Sequence, residues 1–220
     1  MIMNTQKNID IPEYLLETYI RFEKQIIERL QEFERLKDLK NVNKDKYFYE
    51  FCFCILTPQS SAKKAMLVQN ELEKRDFYKN KFNPVDILNN REHYIRFHNV
   101  KSERLLKAID FYDELYKILG EDISVIEKRK KISENFKGVS FKESSHFLRN
   151  IGYKNLAIID RHIMKHLQIC NVIDTKILPN TEKNYLFIER KFLEFCLRIN
   201  ISIDIMDFVF FAYDTGEVLK

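Results

Sequence analysis

Glycine and proline are scarce, at four each in 220 residues, and tryptophan is absent. So few turn formers exclude a loop-rich chain and predict long helices with short connections. The four cysteines are Cys52, Cys54, Cys170 and Cys196, and no two form a C-x-x-C pair. That spacing excludes the usual structural zinc site. Cys52 and Cys54 sit in an apolar run and read as buried free thiols. Long uninterrupted apolar runs are missing too, and no signal peptide is visible, so neither a membrane span nor export is expected. A reduced, intracellular setting follows. No charge of one sign dominates: 37 Lys and Arg against 33 Asp and Glu leave +4, with a pI near 8.7. That balance permits a nucleic-acid partner without demanding one. What remains is 45% hydrophobic and 32% charged, the mixture of a folded globular chain. The length suits one domain or two small lobes.

Helical periodicity runs through most of the chain, and no stretch alternates as a strand would. After a polar start over residues 1–11, Pro12 opens a helix reaching about Lys37. Its apolar positions are Leu16, Tyr19, Ile20, Ile26, Ile27, Leu30 and Phe33. Asn41-Val42-Asn43 is a break. Lys44 to Leu56 reads as a central apolar helix, stopped by Thr57-Pro58 because proline forces its predecessor out of helical geometry. A helix from about Ser61 to Arg75 follows. Phe77 to Lys81 reads as a loop, Asn83-Pro84 as the start of a short helix through Leu88, and Ser102 as the cap of a helix ended by Gly120. Glu127-Lys128-Arg129-Lys130-Lys131 reads as a solvated face rather than a phosphate track. Thr181 caps a helix to about Ile199, and an apolar helix spans Ile203 to Tyr213. His162 and His166 share a helical face. They lack a third ligand and the glutamate of an H-E-x-x-H motif, so no metal is predicted.

The stretch with most chemistry is FKGVSFKESSHFLRNIGYKNLAIIDRH, residues 136–162. Phe136 to Ser140 is a tight turn in which Gly138 takes positive φ. Phe141 to Ile151 is a helix closed by Gly152, and Asp160 is placed to cap the next helix. Lys142 stands just past the turn and Asp160 lies 18 positions further on. Together they make a nucleophile and a charge stabiliser for attack on an electrophilic sugar carbon. On spacing alone, the pair reads rather as a solvated lysine and a plain cap.

The strings KGVSFKESSHFLRNIG and AIIDRH resemble the helix-hairpin-helix signature of the base-excision DNA glycosylases, and within them the archaeal-type 8-oxoguanine DNA glycosylase/AP lyases. The resemblance covers about residues 50–220. It implies an all-α fold of two helical lobes with the active cleft between them. One lobe spans approximately residues 44–166; the other is built from residues 1–43 plus 167–220. It makes Lys142 the Schiff-base lysine and Asp160 the catalytic aspartate. Lys137, Gly138, Val139 and Ser140 become the phosphate-binding turn, with Ser140 standing where the family has a second glycine. It places Gln59 near the lesion, where an exposed turn residue is the competing reading. It also places Phe97 and His98, in the run Tyr94–Lys101, at the base pocket; a loop with a buried Phe97 competes.

The family ends T-G-x-V-L-K, and this chain ends Thr215-Gly216-Glu217-Val218-Leu219-Lys220. In the family the carboxylate of that lysine accepts a hydrogen bond from the damaged base. N7 carries a proton in 8-oxoguanine and is an acceptor in guanine, so an acceptor there matches the lesion and rejects the normal base. Phe211 falls where the family has a stacking tryptophan. The implied activity is excision of a flipped-out 8-oxoguanine, Schiff-base formation at Lys142, and β-elimination 3′ to the abasic site. The implied partner is double-stranded DNA carrying 8-oxoguanine or abasic sites. The enzyme would be a cytoplasmic monomer of a prokaryotic cell, without cofactor, metal or membrane. One rival is a same-fold glycosylase of different lesion specificity, opposed by the missing iron–sulfur cysteines and the terminal VLK. Another is a non-catalytic DNA-binding hairpin module, opposed by Lys142 and Asp160 together.

Overall fold

A computed structural model describes residues 11–37 and 44–220. The polar residues 1–10 and the break at Asn41–Asn43 lie outside the described residues. Among the described residues the regular structure is helical, with no strand. The helices are α1 (Glu13–Arg35), α2 (Lys44–Leu56), α3 (Ala62–Lys74), α4 (Phe77–Asn80), α5 (Val85–Leu88), α6 (His98–Gly120), α7 (Val125–Asn135), α8 (Phe141–Asn150), α9 (Arg161–Ile169), α10 (Glu182–Ile199) and α11 (Ile203–Thr215). None is long and apolar enough to cross a membrane. The chain divides into two compact units. One holds the chain up to Arg29 with Asn155–Val218; the other holds Leu30–Lys154 with Leu219–Lys220.

In the second unit α2 is the central element, packed against α3, α6 and α8. Every residue from Tyr47 to Leu56 is buried, as expected of a helix apolar nearly all round. Phe51 meets Phe136 at 5.2 Å and Phe147 at 5.3 Å, edge to face. Each such buried ring contributes roughly 1.5–3 kcal/mol by burial alone. Gly152, at φ +90°, closes α8 where a Cβ would meet the Phe33 carbonyl oxygen at 2.6 Å, so only glycine fits.

Several elements differ from the sequence reading. Residues 77–80 form a single helical turn, bracketed by left-handed Asp76 and Lys81 and anchored by the buried Phe77. The long helix α6 starts at His98, with left-handed Phe97 as its cap; Ser102 is buried inside it, and Gly120 is its last residue. The charge run is not one solvated face. Lys128 and Arg129 are buried. Lys128 Nζ donates to the Ile118 and Leu119 carbonyls at 3.1 and 3.0 Å and to that of Glu121, closing the end of α6. The Arg129 guanidinium lies over the Phe141 ring and bonds Ser145 Oγ at 3.2 Å. On α1 the buried stripe is Leu15, Phe22, Ile26 and Phe33, whereas Ile20 and Ile27 are exposed. Spacings of three and four starting from Leu15, rather than Leu16, set that stripe.

In the first unit α11 packs on α9 and α10. Its core stacks Phe192 on Phe210 at 5.4 Å and Phe210 on His166 at 4.8 Å. Ser202 caps α11, and Gly216, at φ +75°, ends it two residues later than Tyr213.

Candidate active site

The α7–α8 connection is the predicted turn. Gly138 adopts φ +99° and Ser140 is extended, at φ −94° and ψ −175°. Serine in place of the family's glycine is therefore unstrained here. The Ser140 N–H donates to Glu143 Oε2 at 3.0 Å, and its hydroxyl donates to the same oxygen. This reciprocal cap starts α8. The Val139 N–H donates to the Phe136 carbonyl at 3.2 Å. Val139 and Ser140, two of the N–H groups read as phosphate ligands, are thus engaged inside the hairpin. The Arg104 guanidinium packs on Gly138, 2.5 Å from where a Cβ would stand, and brings to the turn a cation that sequence spacing did not reveal. Lys137 is exposed and Val139 buried.

Lys142 is the second residue of α8. Its side chain is 27% exposed and its Nζ lies 3.1 Å from Glu143 Oε1. Glu143 is buried, which pushes its carboxyl up, yet the Lys142 ammonium and the Ser140 donors outweigh burial and hold it below the usual carboxylate range. The carboxylate therefore joins the helix cap to the lysine, a link the sequence pattern did not show.

Gln59 is exposed at φ +56° in the loop after α2. Phe97 sits at φ +61° and is 48% exposed, so the buried-Phe reading fails. Arg96 lies over its ring at 4.9 Å, and Tyr94 meets the His98 ring edge-on at 5.6 Å.

Lys220 is tied into the second unit through Glu50, the lone acid in the buried run of α2. Lys220 Nζ donates to Glu50 Oε1 at 2.5 Å and lies 5.0 Å over the Phe53 ring. Glu50 also accepts from Gln69 at 3.0 Å and Asn150 at 3.2 Å. The His146 imidazole lies against the Lys220 main chain. Burial, joined by the charges of Arg149, Lys142 and Lys220, keeps that ring neutral.

In the first unit Asp160 caps α9, accepting from the N–H groups of His162 at 2.8 Å and Ile163 at 3.0 Å. The extended segment before it is racked by side chains. Asn155 N–H donates to Asp204 at 3.1 Å, Ala157 N–H to Glu189 at 3.0 Å, Ile158 N–H to Asp207 at 3.2 Å and Ile159 N–H to the Tyr185 hydroxyl at 3.2 Å. Asp204, Glu189, Asp207 and Tyr185 thus fix the backbone that presents Asp160. Asp214 gathers the helix-face histidines: His162 Nδ1 lies at 2.6 Å, Lys165 Nζ at 2.5 Å and His166 Nε2 at 3.3 Å. Burial raises the Asp214 carboxyl, but the Lys165 and His162 bonds overcome it and push it down to about 2. Phe211 is half-buried, with the His162 ring edge-on at 5.4 Å. Among the described residues no group of three or more His, Cys, Asp or Glu is arranged to hold a metal.

Comparison with known proteins identifies the family. The family model described as 8-oxoguanine DNA glycosylase matches residues 26–201. An 8-oxoguanine DNA glycosylase/AP lyase of Fusobacterium nucleatum is 40% identical over 200 residues, covering 85% of this chain and 90% of that protein. One from Thermoplasma volcanium is 33% identical, covering 96% and 100%. The Methanocaldococcus jannaschii 8-oxoguanine glycosylase/lyase, solved in complex with a 15mer DNA containing 8-oxoguanine, superposes with a TM-score of 0.81 at 29% identity, covering 94% of this chain and 98% of that one. The Thermotoga maritima 8-oxoguanine DNA glycosylase gives 0.81 at 25% identity, covering 94% and 96%. The chain belongs to the 8-oxoguanine DNA glycosylase family.

Proposed function

We propose that this chain excises 8-oxoguanine from double-stranded DNA and cuts the strand 3′ to the resulting abasic site. The observation that carries the reading is Lys142, a partly exposed amine on the first turn of α8, oriented by Glu143 directly after the capped hairpin. Relatives at 33–40% identity are 8-oxoguanine DNA glycosylase/AP lyases, which sets the lesion and both activities. The damaged nucleotide leaves the stack, because its C1′ is unreachable inside a duplex. Asp160 stabilises positive charge building on the sugar. The free amine of Lys142 attacks C1′, the base departs with the bonding electrons, and the Schiff base that forms undergoes β-elimination.

Phe97 and Phe211 supply stacking faces for bases, and His98 stands beside Phe97. Gln59 faces the duplex near the lesion. A main-chain acceptor at Lys220 reads the N7 proton; Glu50 and His146 support this by fixing that residue at both its amine and its main chain. Lys137 and the turn at Gly138, with Arg104 against it, hold the phosphate backbone without reading sequence, the Val139 and Ser140 N–H groups being spent inside the hairpin. That relatives come from a bacterium and an archaeon supports a prokaryotic cell, in which a reaction on chromosomal DNA runs in the cytoplasm.

Borohydride reduction during turnover tests the central step. Wild type is expected to give a covalent protein–DNA adduct, and Lys142→Gln none. An undiminished adduct from Lys142→Gln removes the lysine from the mechanism. Asp160→Asn is expected to fold and to lose at least a hundredfold in single-turnover excision.

A further inference from the structure

Lys101, on the first turns of α6, is among the most completely buried large side chains of the second unit. Its Nζ donates to the Leu56 carbonyl at 2.7 Å, the Pro58 carbonyl at 2.6 Å and Ser60 Oγ at 3.0 Å. The three donors of an ammonium thus meet three acceptors. The two carbonyls lie at and just beyond the C-terminus of α2, where unpaired carbonyls carry partial negative charge. Ser60 Oγ has a second donor, the Arg96 N–H at 3.1 Å. One hydroxyl therefore joins two segments distant in sequence, and Lys101 holds that hydroxyl. Each segment carries an exposed residue in the left-handed region, Gln59 at φ +56° and Phe97 at φ +61°. Such a conformation is disfavoured in a non-glycine residue and persists only where its surroundings impose it.

We propose that Lys101 is a positioning residue for DNA engagement: its buried ammonium locks the Thr57–Ser60 loop to the Arg96–Phe97 segment and so holds Gln59 and Phe97 in the conformations that meet the duplex. The inference rests on the reading that these two residues face DNA. Lys128 supplies a natural comparison. It closes the end of α6 with the same chemistry, through the carbonyls of Ile118, Leu119 and Glu121, but no exposed left-handed residue stands there. If buried lysines served only to finish helices, the two would be equivalent.

The test compares Lys101→Met with Lys128→Met by hydrogen exchange and by steady-state incision of an 8-oxoguanine duplex. Both variants are expected to melt lower than wild type. Only Lys101→Met is expected to raise KM tenfold or more, with a smaller change in kcat, and to speed amide exchange at both Gln59–Ser60 and Arg96–Phe97. A KM within twofold of wild type, or faster exchange at one segment alone, overturns the proposal. If Lys101→Met does not fold, Ser60→Ala takes its place, with about a threefold rise in KM and faster exchange at both segments expected; wild-type behaviour of Ser60→Ala overturns it equally. Gln59→Ala and Phe97→Ala separate the underlying reading. Should both keep the wild-type KM while exchange still rises at both segments in Lys101→Met, the error lies in assigning these loops to DNA, not in the clamp.

Discussion

At the scale of single residues, the second unit is organised by charges brought indoors and matched to partners. Glu50 is the clearest case, since its carboxylate takes donors from Gln69, Asn150 and Lys220. Removing one partner from such a set costs more than the pair contributes, because the remaining charge stays buried and underpaired. Lys220→Met is therefore expected to destabilise by about 1–3 kcal/mol, and adding Glu50→Gln to that variant to recover part of the loss. Urea unfolding of the two single variants and the double variant checks this; strictly additive losses would mean that the two side chains do not interact. The sequence showed that Glu50 lay in a buried helix. It did not show its partner, because Lys220 is 170 positions away and no local pattern encodes that distance. The positions of Lys142 and Asp160 were legible because a turn and a cap are local features, while the roles proposed for them came from the resemblance. Glu143 was hidden by its own dual use as N3 cap residue and lysine partner.

At the scale of elements, the helix ends marked by Thr57-Pro58 and Thr181 fall where the pattern puts them: α2 closes at Leu56 and α10 opens after Thr181. Errors cluster where a left-handed non-glycine residue sets the boundary, as Phe97 does for α6 and Asp76 and Lys81 do for α4. Propensity gives little warning of these, since left-handed geometry is rare in non-glycine residues. The extended segment before α9 is a product of tertiary bonding. The N–H groups of Asn155, Ala157, Ile158 and Ile159 find side-chain acceptors on α10 and α11 instead of a ladder. Asp207→Ala leaves the Ile158 N–H without that acceptor and is expected to cost about 1–3 kcal/mol. It is also expected to lower single-turnover excision at least tenfold, because the segment presents Asp160. A variant that melts lower yet excises at the wild-type rate would show that the rack supports only the fold.

At the scale of the whole molecule, a net charge of +4 is too small to explain affinity for a polyanion, so binding depends on where cations stand. Many basic side chains are already engaged: Lys101 and Lys128 face carbonyls, Arg129 faces Ser145 and Phe141, and Lys165 faces Asp214. Arg104 differs, because its guanidinium lies on Gly138, at the turn proposed to meet a phosphate. An arginine there releases about one condensed counterion when the duplex binds. Arg104→Gln is thus expected to weaken binding by a similar factor for lesion-bearing and undamaged duplexes. It should also reduce the slope of log K against log salt by about 0.9. Glu121, which pairs with Lys131 on the neighbouring helix face, offers a charge change away from the turn, and Glu121→Gln should leave the slope within error of wild type. Titrations at four salt concentrations between 50 and 200 mM, a range over which the effect is roughly several-fold, separate the outcomes. An unaltered slope for Arg104→Gln would mean that this guanidinium buttresses Gly138 without touching the phosphate.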